Sequence, residues 1–342
     1  VANISSGNIL FGGLLGKSEG GTAGTSPSFA TGGRRFLGDV TGLITLGKTY
    51  EIGDTRSLGY RNSIVATNAT LTANDPELSL SFPEVSVDDA AILFGMAFSP
   101  TISGTAAPYT WTTTPSLGSA SNSPTSYSFI AQDAFGGTAG GGNGYLLNYV
   151  LPTELSITGS NDGLTSMTAS CFAQNVTEST TNPAAATAVV TSKRMAGRLW
   201  TVAVGTALAT GSFTDYSYPM DFGLTIQTGI NPVRVLNGST SLTGHAESGQ
   251  IGGELTMTVL SNAAASSTWY QSLGSQKFVR LTWSDGTYSL TINTSIIVTD
   301  ITPLSGEDSG LTQMAVTGRL ALDPVSLSAI KITAVNALAA LP

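Results

Sequence analysis

Two stretches of this chain recur in the same order, and such a recurrence confines the chain to an architecture built twice. Glu77-Leu-Ser-Leu-Ser-Phe82 (ELSLSF) matches Glu254-Leu-Thr-Met-Thr-Val259 (ELTMTV). Further along, Gly159-Ser-Asn-Asp-Gly-Leu-Thr-Ser-Met167 matches Gly306-Glu-Asp-Ser-Gly-Leu-Thr-Gln-Met314, 147 residues away. In the first pair apolar and hydroxyl side chains alternate in one phase, the period of a strand with one wet face. In the second pair the glycines, leucine, threonine and methionine keep register while the acids do not. What repeats there is a turn and the start of a closing strand, not a set of ligands.

The order of parts extends the match. Each E-L strand is followed by a helical candidate, Val87 to Phe98 in the first copy and Asn262 to Leu273 in the second. Ser86 and Ser261 stand where N-caps belong, and Asp88 and Asp89 suit a positively polarised first turn. Between strand and turn motif the first copy is 30 residues longer. The excess, about residues 99–144, is rich in Pro, Ser and Gly, so it reads as a surface excursion with one hairpin around Tyr109 to Thr113. In the second copy Lys277 to Ile292 spells strand, Asp-Gly turn, strand. These parts predict a mainly β chain with a flexible arm over 1–33, a first domain over 34–177, a linker over 178–196, a second domain over 197–326 and a tail over 327–342. At 342 residues each domain is long enough to bury a core of its own.

Composition narrows function by exclusion. The net charge is −8, from 14 basic and 22 acidic residues, with no basic run, which argues against holding nucleic acid through its phosphates. No apolar stretch is long enough for a membrane helix. The start lacks the basic and apolar regions of a signal peptide, so the expectation is a cytoplasmic chain or one whose leader has been removed. Cys171, the single cysteine, sits in the apolar run TASCFA and reads as a buried small residue.

Chemistry is sparse. The single histidine, His245, has Glu247 and Ser248 near it but no G-x-S-x-G elbow, and reads as a surface loop residue. One Cys and one His do not make a zinc site, and no calcium loop is present. The glycines of 136–144 lack the Lys-Ser/Thr of a phosphate loop. Asp88-Asp89 and Glu307-Asp308 suit a helix start and a turn better than a glycosidase pair. Asn68-Ala-Thr70 and Asn237-Gly-Ser239 are matches to the glycosylation pattern that chance supplies in so Ser/Thr-rich a chain. Trp111, Trp200, Trp269 and Trp283 fall in apolar-patterned elements and read as core. No cofactor, metal or catalytic set is expected, and the chain is not expected to be an enzyme.

From Gly197 to Asp323 the succession of parts resembles the tail tube (major tail) proteins of long-tailed bacteriophages. It rests on GRLWTVAV, MDFGLTIQ, the Gly/Asn-punctuated stretch Asn231 to Gly253, ELTMTVL, the helix candidate, the hairpin KFVRLTWSDGTYSLTIN and GLTQMAVTGRLALD. The first half, about Phe36 to Gln174, resembles a decorated version. The resemblance implies two tandem β-sandwich or barrel-like tube domains, each with one flanking α-helix, whose inner sheets join around a ring. It also implies stacking loops, here Tyr60 to Asp75 and Pro232 to Gly252, with Arg61, Asn62, Asn68, Asn74, Arg234, Asn237, His245 and Glu247 as candidate contacts.

Most such proteins have one domain and form hexamers. Two domains per chain imply a homotrimeric, pseudo-hexameric ring. Glu77, Ser79 and Ser81, with Glu254, Thr256 and Thr258, would line the channel, although the period alone leaves open which solvent this face meets. Implied partners are further copies of the chain, tape-measure, baseplate and tail-terminator proteins, and DNA in passing. The implied location is the virion tail, assembled in the host cytoplasm. A decoration protein or adhesin of tandem sandwiches, and a carbohydrate-binding or hydrolytic β-protein, are the competing classes.

Overall fold

The computed structural model describes residues 14–19, 24–29, 33–36, 44–52, 69–115, 123–132, 144–179, 193–208, 212–235, 239–247, 250–262, 268–308 and 311–342. The protein is mainly β, built on large antiparallel sheets. The first half contains β1 (Leu14–Ser18), β2 (Arg34–Phe36), β3 (Ile44–Thr45), the hairpin β4 (Lys48–Ile52) and β5 (Ala69–Asn74), β6 (Glu77–Phe82) and α1 (Val87–Ala97). It continues with β7 (Thr101–Ser103), β8 (Tyr109–Thr113), β9 (Tyr127–Gln132), β10 (Gly144–Ser160), β11 (Ser166–Phe172) and β12 (Asn175–Ser179). The second half contains β13 (Trp200–Gly205), β14 (Phe213–Tyr216), β15 (Pro219–Gln227), the hairpin β16 (Asn231–Val233) and β17 (Gly244–Ala246), and β18 (Gly252–Leu260). It ends with β19 (Gln276–Ser284), β20 (Ser289–Asp308), β21 (Leu311–Leu320) and β22 (Ile330–Asn336).

The recurrence in sequence is a recurrence in hydrogen bonding. In the first half β6 pairs with β11, with Phe82 opposite Met167 and Leu80 opposite Ala169. In the second β18 pairs with β21, with Val259 opposite Met314 and Met257 opposite Val316. Both turn motifs join a long strand to the closing strand, β10 to β11 and β20 to β21. Each long strand bulges at a threonine, Thr153 and Thr299, and each hydroxyl donates to the carbonyl across the bulge, Ser170 O at 3.0 Å and Thr317 O at 3.3 Å. A bulge that satisfies its own backbone this way fixes register on either side of it.

The equivalence reaches further than the sequence motifs. β1 lies between β2 and β9, as β13 lies between β14 and β19. β12 pairs with the first part of β10, as β22 pairs with the first part of β20. The flexible arm expected over 1–33 therefore needs correction for residues 14–18, which form a strand with Leu14 and Leu15 fully buried. Residues 1–13 lie outside those described. The tail expected over 327–342 contains β22, whose alternate residues Ile330, Ile332 and Ala334 are core. Within the excursion of 99–144 the hairpin β7–β8 is present where expected, but Trp111, Tyr127, Phe129 and Ile130 are buried, so this stretch is partly core.

α1 forms as expected. Ser86 Oγ accepts from the Asp89 N–H at 3.1 Å, and the helix ends at Ala97. All its residues are buried, because it packs on β10 of the first half and on β20 and β22 of the second. Asp88, inside that contact, accepts the Ala337 N–H at 3.2 Å. The second helical candidate is described only at its end, a 3-10 turn over Tyr270–Ser272; residues 263–267 lie outside. Two separate cores were expected. Most of the buried apolar side chains instead form one large cluster that takes in both halves, from Leu14 to Ala334, with Trp111, Trp269 and Trp283 inside it. Cys171 belongs to it, and burial pushes its thiol up to about 12.

Candidate functional site

The ladders run in the order β3, β6, β11, β10, β15, β18, β21, β20, all antiparallel. One sheet thus crosses from the first repeat to the second through β10 and β15. At this seam Leu155 lies opposite Ile226 and Ile157 opposite Leu224, and all four are buried. Fully burying each such side chain contributes roughly 1.5–3 kcal/mol.

The other side of this sheet is hydroxylic. Ser79, Ser81, Glu254, Thr256 and Thr258, together with Glu77 at one edge, fall on it as the alternation requires, with Leu78, Leu80, Phe82, Leu255, Met257 and Val259 buried beneath. Register adds members that no single strand revealed. Ser170 and Glu154 continue the row of Ser79, and Thr168, Ser156 and Thr225 continue that of Ser81. Thr317 and Asp300 extend the row of Thr256. Neighbouring hydroxyls bond across strands, Thr158 to Ser166 at 2.6 Å and Thr225 to Ser156 at 3.4 Å. The one basic residue of these eight strands on this side is Arg319, directly opposite Glu254. Such a face is wet, weakly anionic and poor in groups that hold phosphate.

Two hairpins rise from the same end of the sheet, β4–β5 from between β3 and β6, and β16–β17 from between β15 and β18. Of the candidate stacking residues, Arg61, Asn62, Asn68 and Asn237 lie outside the described residues. The structure brings Asn74, Arg234 and His245 into one region. Arg234 bonds Asp75 and donates to the Asn74 carbonyl at 3.1 Å, while the Asn74 N–H donates to Thr240 O at 3.0 Å. Glu247 is exposed, with a carboxylate oxygen 3.6 Å from His245 Nε2.

His245 is not the surface loop residue expected. It lies in β17, half-buried, with Nδ1 2.6 Å from the Tyr149 hydroxyl. Tyr149 holds φ 56, a strained value for a bulky side chain, where β10 bends between sheets. Its N–H donates at 2.7 Å to Glu19, a buried carboxylate that also accepts from Gly24 N, Ser126 Oγ and Ser128 Oγ. Burial pushes the Tyr149 phenol up, as does the charge of Glu19, against the bond to His245. Under β16–β17, Ile230 and Leu242 close over Tyr149, Leu151 and Phe172 as a small separate core. Thr228 secures the base of the hairpin by donating from its hydroxyl to Pro152 O at 2.8 Å.

A cleft of about 290 Å³ at the seam is lined by Ser160, Asn161, Trp200, Asp215, Tyr216 and Asp221 among others. Trp200 gives its indole N–H to Thr165 and sets its ring edgewise against Phe222, and an Asp221 oxygen accepts the Thr258 N–H. Trp200 thus ties the second half to the first through Thr165. Among the described residues no cluster of His, Cys, Asp and Glu has metal-binding form, and no helix is long and apolar enough to cross a membrane. No protein-family model matches the chain, and no curated protein matches it.

Proposed function

We propose that this is a structural protein that assembles side by side into closed rings, which stack into a hollow tube of the kind that forms the tails of long-tailed bacteriophages. The observation that carries this reading is the seam. The chain joins its first repeat to its second edge to edge, and the matching edges at the two ends of the sheet, β3 and residues 300–308 of β20, have no further strand beside them among the described residues. Exposed edges invite another strand. A head-to-tail addition that closes makes a ring. Three chains would supply six repeats.

In that assembly the hydroxyl face would form the channel wall, with Glu77, Ser79, Ser81, Glu254, Thr256 and Thr258 in it. Carboxylates among hydroxyls, with a lone arginine already opposite Glu254, favour passage of DNA and tape-measure protein without a grip on either. Baseplate and terminator proteins would cap the ends, and the role is not enzymatic. Electron microscopy of the concentrated protein tests the reading. Rings of threefold symmetry, or tubes built from them, are expected. A chain that stays single at every concentration overturns it.

A further inference from the structure

The seam inside the chain is also a template for the contact between chains. Register makes Ile44 and Thr45 of β3 the counterparts of Leu224 and Thr225 of β15, since they face Leu78 and Glu77 as those face Leu255 and Glu254. The next residue, Leu46, then corresponds to Ile226. On the other side, the shared bulge makes Leu151, Leu155 and Ser156 of β10 the counterparts of Ile297, Ile301 and Thr302 of β20. Burial separates the two sets. Ile226 and Leu151 are 0% exposed within the chain, whereas Leu46 is 47% and Ile297 41% exposed. The residues that the internal seam covers are bare at the free ends.

The hairpins show the same relation. β16–β17 leans back over the first repeat and covers Leu151 and Phe172. β4–β5 rises from the equivalent place in the sheet, but carries Tyr50 at 53% exposure, with no repeat beside it to lean on. At the far end, Ile297 has exposed apolar neighbours. Leu273 precedes Gly274, whose N–H donates to Val298 O at 2.8 Å, and Leu322 gives its carbonyl to Gln276, which is paired with Ile297.

We propose that a second copy of this chain docks in the register of the internal seam. β3 of one chain runs antiparallel to β20 of the next, with Leu46 opposite Ile301 on the core side and Thr45 opposite Thr302 on the hydroxyl side. The β4–β5 hairpin then folds sideways over Ile297 of that neighbour, as β16–β17 folds over Leu151. This rests on the ring reading and adds the register and the lateral use of the hairpin. It follows from the strand-pairing rule that a slip of one residue would put Leu46 on the wet side.

Paired cysteines test it. Thr45→Cys with Thr302→Cys in one chain, under mild oxidation, is expected to give disulfide-linked species of two and three chains and no longer ladder, because directly opposite side chains of an antiparallel pair come within bonding reach. Thr45→Cys with Ile301→Cys, one residue out of register, is expected to give at least tenfold less. The hairpin has its own arm. Tyr50→Asp and Ile297→Asp are each expected to weaken assembly at least tenfold while leaving the melting temperature of the single chain unchanged. Rings seen by microscopy with no Thr45–Thr302 link overturn this register and leave the ring reading standing. Linked chains whose assembly ignores both aspartates overturn the lateral hairpin. Chains that never associate remove both readings.

Discussion

The two hairpins are the same device in two situations. β16–β17 is short, sits on Leu151 and Phe172, and has its histidine tied to Tyr149. β4–β5 is longer and exposes Lys48, Thr49, Tyr50, Glu51, Thr70 and Thr72, while Asn74 and Asp75 at its base touch the other hairpin. The difference teaches that position in the sheet, not sequence, decides whether a hairpin is covered. Beside β15 of the second repeat lies β10 of the first, whereas β3 has no further strand beside it among the described residues.

Several substitutions would break or sharpen that contrast. The largest effect is expected at its centre. Leu151→Ala should cost the single chain about 2–4 kcal/mol, the usual range for emptying a buried leucine site. Its counterpart Ile297→Ala should cost within about 0.5 kcal/mol until the chain assembles. Denaturant unfolding of both, below and above the assembly concentration, checks the pair; equal costs in the single chain would undo the comparison. Next comes Tyr149→Phe, which removes the 2.6 Å bond to His245 and should cost about 1 kcal/mol. Hydrogen exchange should then quicken in β16–β17 and stay as it was in β4–β5.

Smaller still are the bulges. Thr153→Val and Thr299→Val should each cost about 0.5 kcal/mol, and by equal amounts, if the two bonds are equivalent. Calorimetric melting of each variant measures this. The last effect is read as a dependence on pH. Lys193 lies 2.7 Å from Asp285, tying the segment between the repeats to the β19–β20 turn. Burial pushes the Asp285 carboxyl up, but the bond to Lys193 and the N–H groups of Tyr288 and Thr287 outweigh it and hold it at about 2, below the ordinary 3.8. A depressed carboxyl contributes stability that is full above its unfolded value and fades as pH falls from there through about 2. Asp285→Asn should flatten the acid limb of a stability profile over that window.

What could be read from residues alone follows the strength of local patterns. ELSLSF and ELTMTV gave their buried and wet faces because strict alternation has one physical solution. Ser86 gave the start of α1 because a cap is a local bond. β1 escaped because LLGKS is short, flanked by glycines, and shares no residue pattern with its counterpart WTVAVG; only its pairing with β2 and β9 makes it a strand. β22 falls in the expected tail although IKITAVN alternates plainly, because the stretch resembling tube proteins ends at Asp323. The hydroxyl face was half legible. Its rows on β6 and β18 came from period, but the members on β10, β11 and β20 depend on register, which no single strand encodes. The Tyr149 and His245 contact joins residues 96 apart in sequence, and no local signal announces it.

The hairpin β7–β8 pairs not with its own half but with β22, Trp111 opposite Ala334, and Trp111 gives its indole N–H to Leu338 O at 2.8 Å. Seen from the ribosome, that strand pair must wait for most of the remaining polypeptide before its partner exists. Contacts so distant along the chain make folding slow, and an unpaired edge in a nascent chain is open to wrong partners. The two halves are therefore stitched together by the last strand. Cutting the chain between the repeats should leave the first fragment without the strand that pairs with β8 and the second without the strand that pairs with β22.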